Sequence, residues 1–257
     1  MALVKTEAVI LHSRKQGETS KLVTFYSRHY GKLVLVAKGS RSVKSHYMGV
    51  LEPYQHVAII FYLKENRSVY FLSQAEIIAS FPSIHATLGK MALAAIPCEI
   101  IEKTEVAEHV CPELYNLLVD VLQALENARS GHKNIIRAFH LKFLHISGFK
   151  PALDSCERCG KEDVTGDVSF ALDKGVYHCD ACGRIGAEPV LLSPQALITL
   201  RWYAAIPVQH AAQAKIAAAT GDEVDAFLIK YLRIHMEGLD HLNSLKYLQQ
   251  LQKRLHK

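Results

Sequence analysis

From Lys5 to about Ser73 the chain alternates apolar and polar positions with a period near two. Val9 and Leu11 alternate with Ala8 and Ile10. Lys21, Val23, Phe25 and Ser27 interleave with Leu22, Thr24, Tyr26 and Arg28, and Leu33 to Ala37 is an apolar run rich in β-branched residues. Two further runs, Val57 to Leu63 and Val69 to Leu72, are joined by Lys64-Glu65-Asn66-Arg67, a connection of hairpin length. Gly17 and Gly31 sit where the first and second strands turn. About five strands in roughly 75 residues predict a small closed barrel of the oligonucleotide/oligosaccharide-binding (OB) type, with an SH3-like barrel as the structural rival. Tyr26 and Arg28 share one strand face and Lys21 and Phe25 the other; the pattern leaves open which of them is core.

After Pro82 the period lengthens. Leu114, Leu117, Leu118, Val121, Leu122 and Leu125 form one face of an amphipathic helix, with Pro112 just ahead of it. Asn134 to Ser147 reads as another helix, stopped by Gly148 and Pro151. Ser193-Pro194 supplies an N-cap and a first-turn proline, with Leu197 and Leu200 facing inward. Thr220-Gly-Asp-Glu223 has the spacing of a capping box before Val224, Phe227, Leu228, Tyr231 and Leu232. A last helix is expected through Leu242, Leu245, Leu248 and Leu255. These leucine faces read as core.

Composition makes this an ordinary globular chain: 257 residues, 49% apolar and 21% charged, with no run near the ~20 apolar residues of a membrane span. The first twelve residues lack the features of a signal peptide. The formal charge of +5 is unevenly placed. Residues 1–50 carry nine Lys and Arg against two acidic side chains, whereas residues 51–130 carry five against ten. A strongly basic end beside an acidic stretch suits a polyanion partner.

The cysteines are the most specific signal. Cys156-Glu-Arg-Cys159 and Cys179-Asp-Ala-Cys182 are two C-x₂-C pairs separated by nineteen residues. A two-residue gap lets both thiolates of one knuckle reach a single ion at ~2.3 Å, and two knuckles complete a tetrahedron. One structural Zn²⁺ per chain is expected on Cys156, Cys159, Cys179 and Cys182. Four sulfurs leave no position for an activated water, so the ion would staple the 154–184 segment. Cys98 and Cys111 have no metal spacing and read as small hydrophobes. There is no Walker loop, no nucleophile elbow, no H-E-x-x-H, no dinucleotide fingerprint and no deaminase signature, and no enzyme is expected. Glu99, Glu102, Glu105 and Glu108, three apart, read as one solvated helix face. His140 and His145 read as surface or packed residues.

The stretch Lys38-Gly-Ser-Arg41-Ser-Val-Lys44-Ser-His46-Tyr47 combines three cations, small residues and an aromatic, and contains no evident apolar anchor. On a barrel of this type, single-stranded nucleic acid lays its phosphates on Lys and Arg and its bases on aromatics. The expected DNA-binding set is Arg14, Lys15, Lys21, Arg28, Lys32, Lys38, Arg41 and Lys44, with Tyr26 as a stacking residue.

Taken in order, Gly17-Glu18-Thr19, His29-Tyr-Gly31-Lys32, Val36-Ala-Lys38-Gly39-Ser-Arg41 and Leu51-Glu-Pro53 resemble the N-terminal barrel of the RecO recombination-mediator family. Phe139-His-Leu141-Lys142-Phe143-Leu144, Gly148-Phe-Lys-Pro151 and the two cysteine pairs are similar to its helical domain with an inserted zinc knuckle. The resemblance spans nearly the whole chain. It implies an α+β multidomain fold: an OB-fold barrel over residues 1–80, then an all-α domain over 81–257 carrying the four-cysteine insertion at 154–184. It also implies a bacterial, cytoplasmic protein that binds single- and double-stranded DNA, anneals complementary strands and works with RecR to load RecA onto DNA coated by single-strand-binding protein (SSB). An apolar, basic-rimmed groove in the helical domain would receive the acidic C-terminal tail of SSB, with Arg137 and Lys142 as rim residues. Rival readings are an RNA-binding OB-fold protein of the translation machinery and a zinc hydrolase or deaminase.

Overall fold

The computed structural model describes residues 2–255. The barrel strands are β1 (Ala2–Gln16), β2 (Ser20–Ser27), β3 (Gly31–Ala37), β4 (His56–Leu63) and β5 (Tyr70–Ala79). The helices are α1 (Pro82–Ala86), α2 (Leu88–Thr104), α3 (Pro112–Asn127), α4 (His132–Ile146), α5 (Pro194–Ala205), α6 (Ala218–His235) and α7 (Asn243–Leu255). Three short strands, β6 (Val168–Ala171), β7 (Val176–His178) and β8 (Val190–Leu192), lie between α4 and α5. The chain forms two compact units, one running to Asn127 and resuming at His241, the other Ala128–Asp240. No helix among the described residues is long and apolar enough to cross a membrane.

In the first unit five strands close into a barrel of order β1-β2-β3-β5-β4. The long β1 serves two neighbours: its first part pairs with β4 (Ala2↔Leu63 to Val9↔His56) and its second with β2 (Ala8↔Ser27 to Gln16↔Ser20). A register shift between Ile10 and His12 lets the strand bend between them. A short parallel pairing of β3 with β5, Leu35↔Tyr70 and Val36↔Phe71, closes the ring. The interior holds Ile10, Val23, Phe25, Leu35, Ile59 and Phe61, which settles the question the alternation left open: the Phe25 face is core. Tyr26 points the other way but is also wholly buried, because α2 packs against β1 and β2 from outside.

Pairing with β5 covers only the end of β3. Near its start, Ala107 bridges Lys32 in parallel and the Glu108 amide donates to the Lys32 carbonyl (3.2 Å), so the 105–109 segment closes that edge. This close passage requires Gly31: its φ is +59°, and a Cβ there would lie 2.0 Å from the His109 carbonyl oxygen.

The second unit is built on α4, against which α5 and α6 pack. It is not all helix: β7-β6-β8 form an antiparallel sheet whose Phe170 meets Phe227 of α6 edge-on, ring centroids 4.9 Å apart. Ser193 caps α5 by accepting from the Ala196 amide, with Pro194 in the first turn, as the sequence predicts. The capping box expected at Thr220–Glu223 does not form, because α6 begins earlier, at Ala218. Glu223 reaches across to α5 instead and accepts from the Ser193 amide (2.6 Å) and hydroxyl (2.7 Å).

Candidate nucleic-acid interface and metal centre

The loop from Lys38 to Gln55 joins β3 to β4 and is firmly anchored. Ser40 Oγ donates to the Ala37 carbonyl (2.7 Å). The Arg41 amide donates to Thr19 O (2.9 Å), and its Nη1 donates to the carbonyls of Gly17 (3.0 Å) and Glu18 (2.8 Å). Tyr47 corrects the expectation that the loop lacks an apolar anchor: it is 4% exposed, packs in the barrel core and donates its hydroxyl to Ser73 O at 2.8 Å. Burial raises its phenol, so it stays neutral. Lys38, Arg41 and Lys44 are thereby presented to solvent from a fixed loop. Lys38 Nζ stands 4.4 Å above the centroid of the Phe71 ring.

The other expected DNA-binding residues divide into two groups. Arg14 and Lys15 are exposed at the end of β1, beside the 17–19 turn that Arg41 holds. Lys21 Nζ is instead paired with Glu52 at 3.0 Å. Lys32 Nζ donates to the Glu102 carbonyl at 2.7 Å, near the C-terminus of α2, where a cation complements the helix dipole. Arg28 Nη1 stands 3.4 Å from Glu7 Oε2. Tyr26 is a correction: it is 0% exposed, its hydroxyl faces Glu105 at 3.5 Å, and it offers no ring face to a base. Its phenol is pushed up by burial and then by the Glu105 carboxylate.

The glutamate row is likewise not a solvated face. Glu99 accepts from the Asn243 amide (2.9 Å) and from the amide (2.8 Å) and hydroxyl (2.6 Å) of Ser244, capping α7 from a different helix. Burial alone would raise its carboxyl, but these donors and Lys103 outweigh it and hold the carboxyl below its ordinary range. Glu102 stands 3.6 Å from His12. Glu105 and Glu108 lie beyond the end of α2 and receive Tyr26 and Tyr70.

In the second unit the sulfurs of Cys156, Cys159, Cys179 and Cys182 lie within 4.8 Å of one another. Cys159 Sγ and Cys179 Sγ are 3.7 Å apart, close to the edge of about 3.8 Å in a tetrahedron with ~2.3 Å bonds. Gly160 (φ +71°) and Gly183 (φ +79°) turn the chain away after each pair. Burial pushes the Cys156 thiol up, but amides of Cys179, Cys159 and Arg158 aimed at it outweigh that and bring it down to about 6. The donor set therefore fits a four-coordinate thiophilic cation. His178 is outside the set, its Nε2 held 3.0 Å from Glu157. One organising residue had no sequence signal. Arg201 of α5 donates to Leu153 O (2.6 Å), Asp154 O (2.9 Å), Glu162 O (2.8 Å) and the Tyr177 hydroxyl (2.9 Å), tying the knuckle to the helix.

The two residues expected to rim a groove behave differently. Arg137 is 6% exposed and forms a two-pronged pair with Asp225 (2.7 and 2.8 Å) while donating to Asn134 (2.7 Å); it is an internal strut, not a rim. Lys142 is half-buried, its ammonium pKa lowered by burial, and lines a pocket of about 70 Å³ with Leu141, Pro151, Leu153 and Ala204. His145 and Lys150 complete the lining. His140 is buried beside Arg137, and burial lowers its imidazole to about 4.

Residues 1–81 match the family model described as recombination protein O N terminal, and residues 85–246 the one described as recombination protein O C terminal. Among similar curated proteins, the DNA repair protein RecO of Desulfatibacillum aliphaticivorans is 30% identical over 99% of each chain. That of Symbiobacterium thermophilum is 29% identical over 98% of each. That of Caldanaerobacter subterraneus subsp. tengcongensis is 27% identical over 92% of this chain and 94% of its own.

Proposed function

The chain belongs to the recombination protein O (RecO) family, and from that premise we propose that it is a DNA-binding recombination mediator of DNA repair. On this reading residues 1–80 are an OB-fold DNA-binding domain and residues 81–257 a helical domain bearing the 154–184 knuckle. The barrel order, closed by a parallel β3/β5 pairing, supports the OB reading.

The observation that carries the proposal is the anchored loop, with Lys38, Arg41 and Lys44 facing solvent and Arg14 and Lys15 nearby. Annealing needs no catalytic group. Two strands repel through their phosphates, and a fixed cationic surface that neutralises both raises their encounter rate. Because the loop is held by Tyr47 and Arg41, little ordering entropy is lost when phosphates arrive. RecR is the expected partner in handing SSB-coated single strands to RecA. The pocket between Lys142 and Lys150, apolar within and cationic at its edge, suits an acidic, apolar peptide end such as the tail of SSB. The four cysteines would hold one structural Zn²⁺, which supplies folding stability to the knuckle.

The test is annealing of complementary oligonucleotides coated with SSB, with and without RecR. Faster annealing, weakened when the SSB tail is deleted, is the expected result. No acceleration, and no oligonucleotide binding at low salt, would overturn the proposal.

A further inference from the structure

With Tyr26 sealed beneath α2, the barrel's β2–β3 face presents no aromatic ring to a base. A different face does. Register places Leu3 opposite Tyr62, Tyr62 opposite Phe71, and Phe71 opposite Val36, giving a continuous outward row across β1, β4, β5 and β3. The inward residues of β4 (Val57, Ile59 and Phe61) are buried in the core, so Tyr62 faces out, 39% exposed, beside Leu3 at 58%. Directly opposed strand residues stand ~5 Å apart, which sets the exposed Tyr62 beside the half-buried Phe71 and the lysine above it.

Charge distinguishes the two ends of this face. Lys38 lies over Phe71, Lys5 projects exposed one step along β1, and Lys64 and Arg67 flank the row on the β4–β5 hairpin with Glu65. At the opposite end the row Glu7–Ala58–Glu76 is acidic. The aromatic end also runs into the basic loop, because the Tyr47 hydroxyl pins that loop to the carbonyl of Ser73, two residues beyond Phe71. Flat π surfaces bordered by cations suit bases and phosphates together, whereas an apolar protein segment would leave those cations unpaired.

Resting on the reading of the barrel as a DNA-binding surface, we propose that single-stranded nucleic acid stacks a base on Tyr62, while Lys38, held over the neighbouring Phe71 ring, meets the adjoining phosphate. The track crosses the β4–β5 side of the barrel and continues into the Lys38–Lys44 loop. Binding there is insensitive to base sequence, since every base has a π face.

The test uses the full chain and a labelled oligothymidylate, read by fluorescence anisotropy at low salt. Tyr62→Ala should weaken binding about five- to a hundredfold with the salt slope unchanged, and Tyr62→Phe should restore it. Affinity for heparin, a polyanion without bases, should be the same in all three proteins, and so should the melting temperature, since Tyr62 lies outside the core. Photo-crosslinks from 5-iodouracil should map to the peptides holding Tyr62 or Phe71. Wild-type oligothymidylate affinity in Tyr62→Ala, with crosslinks elsewhere, would overturn this inference while leaving the proposed function intact and freeing the row for a protein partner. An equal loss of heparin binding would also overturn it. Failure of the unmodified chain to bind oligothymidylate would remove both.

Discussion

Replacing Lys38, Arg41 and Lys44 together by alanine should flatten the dependence of log affinity on log salt by about two units for single strands. The figure follows from the structure. Lys38 and Lys44 are exposed, and Arg41 commits only Nη1, to two carbonyls, leaving the rest of its guanidinium for phosphate. At a slope of about −0.7 per neutralised phosphate, three contacts give roughly −2. Between about 50 and 200 mM salt the unmodified chain should therefore lose roughly twentyfold more affinity than the triple variant. The structure also supplies internal controls. Lys21 is paired with Glu52 and Lys32 with the Glu102 carbonyl, so alanine at either should change the slope by less than about half a unit. Lys32→Ala should instead lower stability, since its ammonium is the partner of a helix-end carbonyl. Anisotropy titrations at four or five salt concentrations measure all of this. An unchanged slope in the triple variant would refute the argument, as would a Lys32→Ala effect equal to that of Lys44→Ala.

Four further outcomes are expected. Cys156→Ser should reduce zinc content by elemental analysis and lower the melting temperature; metal-free wild-type protein prepared without chelator would exclude the site. Gly31→Ala should destabilise by about 3 kcal/mol or more in chemical denaturation, because positive φ and a clash with the His109 carbonyl act together; a change under 1 kcal/mol would mean the 105–109 segment gives way freely. Glu99 has a depressed folded-state pKa, so the stability it lends is present above its ordinary unfolded value and is lost as pH falls through the folded one. The protection of amides in the first turn of α7, measured as exchange relative to the intrinsic rate at each pH, should therefore fall in acid, below about pH 4, and Glu99→Gln should remove that dependence. Arg137→Ala should lower stability by about 3 kcal/mol, leaving the Asp225 carboxylate without its partner and Asn134 Oδ1 with only the Tyr203 hydroxyl, whereas Lys142→Ala should be nearly neutral for stability and should weaken binding of an acidic, apolar peptide.

Period and spacing by themselves determined the barrel strands, α3 to α5 and the four-cysteine cluster, because each depends on neighbours close in sequence. Alternation marks strands, leucines at helical intervals mark α3, and two residues between cysteines make a knuckle wherever the chain folds. Helix α2 showed in the sequence only as the glutamate row at its end. Ala92, Leu93, Ala94, Ile96, Pro97 and Ile100 are all buried, so no apolar period marked the rest of it. What only the tertiary structure decided was which of two similar side chains is free. Tyr26 and Tyr62 both point outward from barrel strands, yet α2 covers the first and leaves the second open. Lys32 and Lys44 carry the same charge, but a helix end occupies one and solvent surrounds the other. Glu99 and Glu223 look like surface and capping residues of their own helices, and each instead caps another. Local pattern reports which face of an element a residue occupies. Whether that face meets water, a helix or a ligand depends on packing between segments far apart in the chain, and one sequence read alone does not encode that in any short-range period.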